Sequence, residues 1–119
     1  MKILVVDGSA TMRRIISKNL NEAGYSNVIE AGNGVEGISK MAGVDLVLTD
    51  WNMPVMDGLS FVKEIKKNPN FASVRIVMIT SAGAQKDVIE ALKQGVNNYI
   101  VKPFTPLTLI EKIKSVIEN

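Results

Sequence analysis

Short apolar runs alternate with stretches that carry apolar residues at helical spacing. Ile3-Leu4-Val5-Val6 has the length and β-branched content of a buried strand. Met12, Ile15, Ile16, Leu20 and Ala23 then recur at helical intervals, and Gly24 stops that helix. Asn27–Glu30 is the second predicted strand. Val35, Ile38 and Met41 mark a short helix ended by Gly43, with Gly37 inside it at a cost of about 1 kcal/mol relative to alanine. Leu46-Val47-Leu48 is the third strand. After a loop, Asp57 caps a helix carrying Leu59, Val62 and Ile65, which Asn68-Pro69 terminates. Val74–Ile79 is the fourth strand. Val88, Ile89 and Leu92 lie on a fourth helix ended by Gly95, and Tyr99-Ile100-Val101 is the last strand. Thr105-Pro106 caps a final helix built on Leu109, Ile110, Ile113, Val116 and Ile117.

Five strands thus alternate with five helices. Strands that are apolar throughout are buried on both faces, which predicts a parallel sheet of the α/β class with helices on either side. The 119 residues are expected to form one domain, 1–119, with no output domain, and no linker or repeat breaks the pattern.

Composition narrows the chemistry. The chain has neither cysteine nor histidine, which excludes disulfides, thiolate metal sites, imidazole catalysis and a phosphohistidine. Catalysis must rest on carboxylates, hydroxyls, lysine or a hard metal ion. The net charge is +2, and the basic pairs Arg13-Arg14 and Lys66-Lys67 are expected on solvated helix faces rather than a nucleic-acid patch. No apolar run has the ~18 residues of a membrane span, and the N-terminus lacks a signal-peptide layout. We therefore expect a cytoplasmic, monomeric protein that binds neither nucleic acid nor membrane.

Ligands of open α/β sheets bind beyond the carboxyl ends of the strands. Those ends deliver Asp7, Asp50, Thr80 and Lys102 to one edge, and only the second strand ends in an apolar residue, Ala31. Two close carboxylates repel unless a cation lies between them, and Mg2+ suits such a pair. A metal, an ammonium and a hydroxyl around one carboxylate make a receptor for a phosphoryl group, with the carboxylate as nucleophile. Asp50, which opens a loop, is the expected acceptor. Taken singly, each has a blander reading: an Asx-turn for Asp7 before Ser9, a turn aspartate for Asp50, a strand-end threonine for Thr80, a surface lysine for Lys102.

Ser9-Ala10-Thr11-Met12-Arg13-Arg14, Thr49-Asp50-Trp51-Asn52-Met53-Pro54, Met56-Asp57-Gly58 and Tyr99-Ile100-Val101-Lys102-Pro103-Phe104 together resemble the receiver domains of response regulators, those of chemotaxis above all. The resemblance spans the whole chain. It implies a doubly wound, flavodoxin-like sheet of order 2-1-3-4-5 and a cis bond at Lys102-Pro103. It implies phosphorylation of Asp50 by a CheA-like histidine kinase, with Mg2+ held by Asp7, Asp50 and the backbone carbonyl of Asn52. Thr80 and Lys102 would contact the phosphoryl group. Thr80 and Tyr99 would move together on activation, reshaping the surface of the fourth helix, fifth strand and fifth helix. A FliM-like flagellar motor switch protein would be the target, and a phosphatase a possible partner. Beyond its own phosphoryl acceptance and hydrolysis, the chain is not expected to be an enzyme.

One position departs from the family. Receivers carry two adjacent acids after the first strand; here the pair is Asp7-Gly8. Losing such an outer support for a metal costs roughly 10- to 100-fold in affinity or activity. Natural tuning, an engineered substitution and loss of metal dependence all remain open at Gly8. Alternatives to a chemotaxis receiver are a phosphorelay intermediate that passes the phosphoryl group to a histidine phosphotransfer protein, a metal-independent binding module, and an aspartate-nucleophile hydrolase. The hydrolase would need a second acid where Ser9 stands. Trp51 is expected on an exposed or half-exposed loop.

Overall fold

The computed structural model describes residues 1–118. Strands β1 (Ile3–Val6), β2 (Val28–Ala31), β3 (Leu46–Asp50), β4 (Arg75–Ser81) and β5 (Asn98–Lys102) alternate with helices α1 (Ala10–Glu22), α2 (Gly34–Ser39), α3 (Gly58–Lys67), α4 (Gln85–Lys93) and α5 (Pro106–Ile117). The strands form one parallel sheet in the order β2-β1-β3-β4-β5, the doubly wound arrangement expected from the sequence.

Side chains alternate across each strand, so the sheet separates two cores. Ile3, Val5, Leu46, Leu48, Val77, Ile79 and Ile100 pack on one face against Ile16 and Leu20 of α1 and Leu109, Ile113 and Val116 of α5. Leu4, Val6, Val47, Ile76 and Met78 pack on the other against α2, α3 and α4, with Phe61 at the centre. Gly37 of α2 has a packing reason: a Cβ there would stand 2.9 Å from the Phe61 ring. That close approach outweighs the propensity cost of glycine within a helix.

Caps fall where the sequence places them. Asp57 accepts from the Ser60 N–H, and Thr105 accepts from the Thr108 N–H ahead of Pro106. Gly24, Gly43 and Gly95 adopt positive φ at the ends of their helices or just beyond them. The Lys102-Pro103 bond is cis. Differences lie at element ends. β2 runs one residue later than predicted; β3, β4 and β5 extend into Asp50, Ser81 and Lys102; α2 ends before Met41; a short 3-10 turn covers Pro69–Phe71. Backbone pairing continues past the last apolar residue of a strand, because the ladder uses main-chain groups and not side chains.

Trp51 corrects the sequence reading. It is only 6% exposed and belongs to the Phe61 core. It follows Asp50 with opposite strand parity, and Gly58 offers no side chain to keep the indole away.

Candidate functional site at the carboxyl edge of the sheet

Parity decides which site residues meet. Asp7 and Asp50 continue the face of Val5 and Leu48, and Lys102 continues that of Ile100, so three charged groups converge above the α1–α5 core. The Lys102 ammonium stands 3.3 Å from Asp7 Oδ2 and 3.5 Å from Asp50 Oδ1. Asp7 is buried, and its Oδ1 accepts the Ser9 N–H at 2.8 Å. Asp7 thus meets the Ser9 N–H of an Asx-type turn through one oxygen and Lys102 through the other. Asp50 Oδ1 also accepts the Trp51 N–H at 2.8 Å. Among the described residues, no protein donor reaches Asp50 Oδ2.

Thr80 and Tyr99 belong to the opposite parity. Thr80 follows Ile76 and Met78 within β4, one residue before its end, and Tyr99 packs against the same core. Together with Ala84, Val88 and Val101 they line a groove of about 490 Å³ beneath the start of α4. Tyr99 is half-buried, with the Lys112 ammonium 5.2 Å from its ring centroid. The Thr80 hydroxyl is buried without a hydrogen-bond partner. Buried polar groups are nearly always paired, so an orphan at a strand end marks a place for an acceptor from outside the chain.

Burial pushes the Asp50 carboxyl up from its ordinary value of 3.8, and the neighbouring Asp7 charge pushes the same way; Lys102 offsets part of this. A carboxyl with a raised folded-state value holds its proton more tightly folded than unfolded. Stability therefore falls as pH rises from 3.8 through the raised folded value, and the ionised carboxylate penalises the fold above it. Asp50→Asn should accordingly raise the thermal midpoint at pH 7, and the gain should vanish below about pH 3, where the wild-type carboxyl is neutral in both states. Melting curves at both pH values check this; an equal gain at both would mean the effect is not electrostatic.

The Lys102 ammonium bridges Asp7 and Asp50. Two carboxylates with a backbone carbonyl and waters suit Mg2+. No cluster of three acidic or other ligating side chains exists among the described residues, so the carboxylate supply ends at two. Asn52 lies two residues beyond Asp50 on an exposed loop, and among the described residues no hydrogen bond joins it to the charged trio. The same loop is strained at Val55, whose φ of 69° belongs to a γ-turn closed by the Met56 N–H on Pro54 O at 2.7 Å. Gly8 is exposed beside it, and a Cβ there would meet Pro54 Cδ at 3.3 Å.

Sequence reasoning missed Arg13, assigned above to a solvated helix face. Its side chain is 21% exposed; Nη1 donates to the Asp7 carbonyl at 2.7 Å and Nε pairs with Glu30 at 3.3 Å. Helical spacing gave no sign of this, since the partners lie at the ends of two neighbouring strands.

Comparison with known proteins agrees with the fold. Residues 3–114 match the family model of the response regulator receiver domain. The chain is 52% identical to the chemotaxis protein CheY1 of Helicobacter pylori, covering 98% of this chain and 97% of that protein. It is 49% identical to a chemotaxis protein CheY homolog of Campylobacter jejuni, covering 98% and 92%. Among solved structures, the chemotaxis response regulator CheY4 of Vibrio cholerae superposes with a TM-score of 0.89 at 34% identity over 97% of both chains. The receiver domain of NtrX from Brucella abortus gives 0.92 at 26% identity over 99% of both. Sheet order, strand-end chemistry and near full-length similarity agree: this chain belongs to the response regulator receiver domain family.

Proposed function

We propose that the chain is a chemotaxis response regulator of the cytoplasm, which takes a phosphoryl group from a histidine kinase onto Asp50 and then binds a flagellar motor switch protein. The observation that carries this is the edge constellation: one carboxylate with an unengaged oxygen, flanked by an ammonium and a second carboxylate, with an orphaned hydroxyl near the end of the neighbouring strand β4. The named chemotaxis relatives at about half identity favour this output over a phosphorelay intermediate.

Asp50 Oδ2 attacks phosphorus, a P–O bond forms, and the P–N bond to the kinase imidazole breaks with its electron pair leaving on nitrogen. The Lys102 ammonium turns from the carboxylates to the phosphoryl oxygens, and the Thr80 hydroxyl donates to one of them. Asp7, Asp50 and the Asn52 carbonyl would hold Mg2+, which supplies charge neutralisation for the transferring oxygens. Thr80 and Tyr99 share one groove, so a shift of the threonine changes the space open to the ring. The helix over that groove is lightly held: the N-cap of α4, Ala84, offers no side-chain cap, and among the described residues of the helix only Ala91 is fully buried. Few buried contacts make a segment easy to move.

A peptide from a flagellar motor switch protein should bind the beryllofluoride-loaded protein at least tenfold more tightly than the unloaded one, as read by fluorescence anisotropy. Equal affinity for both would remove the motor output from this account.

Metal affinity gives a second check. Gly8→Asp should tighten Mg2+ binding by about 10-fold, read by Trp51 fluorescence, because an outer acid supports the bound waters. The exposed Pro54 has only to give by a few tenths of an ångström. No response to Mg2+ in either form, confirmed by calorimetry, would take the metal out of the reading.

A further inference from the structure

We infer that Arg13 is a positioning residue which fixes the Asp7–Gly8 peptide, and through it the Asp7 carboxylate, in a chain whose turn has lost the stiffening side chain at position 8. The inference rests on the functional reading above for its link to Mg2+, but not for its geometry.

The turn from β1 into α1 begins at Asp7, and Gly8 is the freest residue the chain can place next. Asp7 must nevertheless hold its carboxylate toward Lys102. Its side chain is tied by the Ser9 N–H, and its amide donates to the Ala31 carbonyl at 3.1 Å. The Asp7 carbonyl, which forms the peptide into Gly8, is gripped by Arg13 Nη1 at 2.7 Å. The guanidinium is in turn fixed by Glu30 of β2, whose other oxygen accepts from Ser17 at 3.2 Å. A planar fork can serve the carbonyl and the carboxylate at once; a lysine ammonium on a flexible stem is a poor substitute for that double grip. The clamp thus joins α1, β2 and the end of β1 on the side of the site where the family has its second acid.

Charge and position make opposite predictions, which renders the role testable. A cation near a metal seat repels Mg2+, so a purely electrostatic Arg13 would weaken metal binding, and removing it would strengthen binding. A positioning Arg13 strengthens binding, and removing it would weaken binding. The experiment compares the full chain with Arg13→Met and Arg13→Lys, measuring the backbone order parameter of Gly8 by NMR without metal and the Mg2+ affinity by Trp51 fluorescence. The expected result is a loss of Gly8 order in both variants and a fall in Mg2+ affinity of roughly 10-fold in both, including the lysine variant that keeps the charge. Placing Gly8→Asp in the Arg13→Lys background should recover most of the order, since a Cβ restricts the turn. Unchanged Gly8 order in both single variants overturns the inference, as does tighter Mg2+ binding by Arg13→Met. If the unaltered chain itself ignores Mg2+, the metal reading fails, and the Gly8 order parameter alone decides the clamp.

Discussion

Asp50→Asn will abolish uptake of label from a phosphorylated histidine kinase or from acetyl phosphate, while the protein stays folded. The amide keeps the shape of the carboxylate, and its oxygen can still accept the Trp51 N–H that Asp50 Oδ1 accepts at 2.8 Å. What it lacks is an anionic oxygen to attack phosphorus. The nearest replacement, Asp7, is engaged through both oxygens, by the Ser9 amide and by Lys102, and is 2% exposed. Asp57 spends Oδ1 on capping α3. No substitute acceptor is therefore poised, and the expected loss is to background and not a partial decrease. A variant that still takes up label at a rate within tenfold of wild type would show that Asp50 is not the acceptor.

Gly58→Ala will cost about 3 kcal/mol of stability and disturb the site as well. A Cβ at position 58 would lie 2.7 Å from the Asp50 carbonyl oxygen and 2.7 Å from Trp51 Cα. Both are main-chain atoms, so no rotamer change relieves the clash. The Gly58 N–H also donates to the Trp51 carbonyl at 2.8 Å, which pins the two segments together. Position 58 opens α3, where alanine would otherwise gain about 1 kcal/mol over glycine in helix propensity. Overpacking against backbone is larger than that gain, so the net effect is destabilising. Urea unfolding measures the loss, and the Mg2+ response should weaken in parallel because the acceptor's own peptide has moved. A variant as stable as wild type would contradict the close packing at this position.

Much of this molecule was legible in the sequence because its local rules agree with one another. Apolar runs of strand length gave the five strands, and Asp57, Thr105-Pro106 and the glycines punctuated the helices. Strand-end residues gave the site, since a parallel sheet brings every carboxyl end to one edge. Three things were not legible. Trp51 is buried because Gly58, across the loop at the start of α3, makes room for it. Arg13 bonds to Asp7 and Glu30 because the order of the strands sets β1 beside β2. Thr80 is legible from its strand-end place, but that its hydroxyl faces the α4 side and lacks a partner depends on how β4 packs. Each depends on contacts across elements, and spacing along the chain carries no record of those.

The alternation of side chains across the sheet has a consequence for how such proteins diversify. Asp7, Asp50 and Lys102 stand over one core, whereas Thr80, Tyr99 and the groove under α4 stand over the other. Substitutions that retune what the groove accepts can accumulate on α4 and β5 without displacing the acid pair. Conversely, the acid next to Asp7 can be given up, as at Gly8, on a turn that lines no part of the groove. Relatives at about a quarter to a third identity superpose on this fold almost completely. A lineage can thus vary the groove on one side of the sheet while holding its acid edge on the other, provided Thr80, which we propose serves both, is kept.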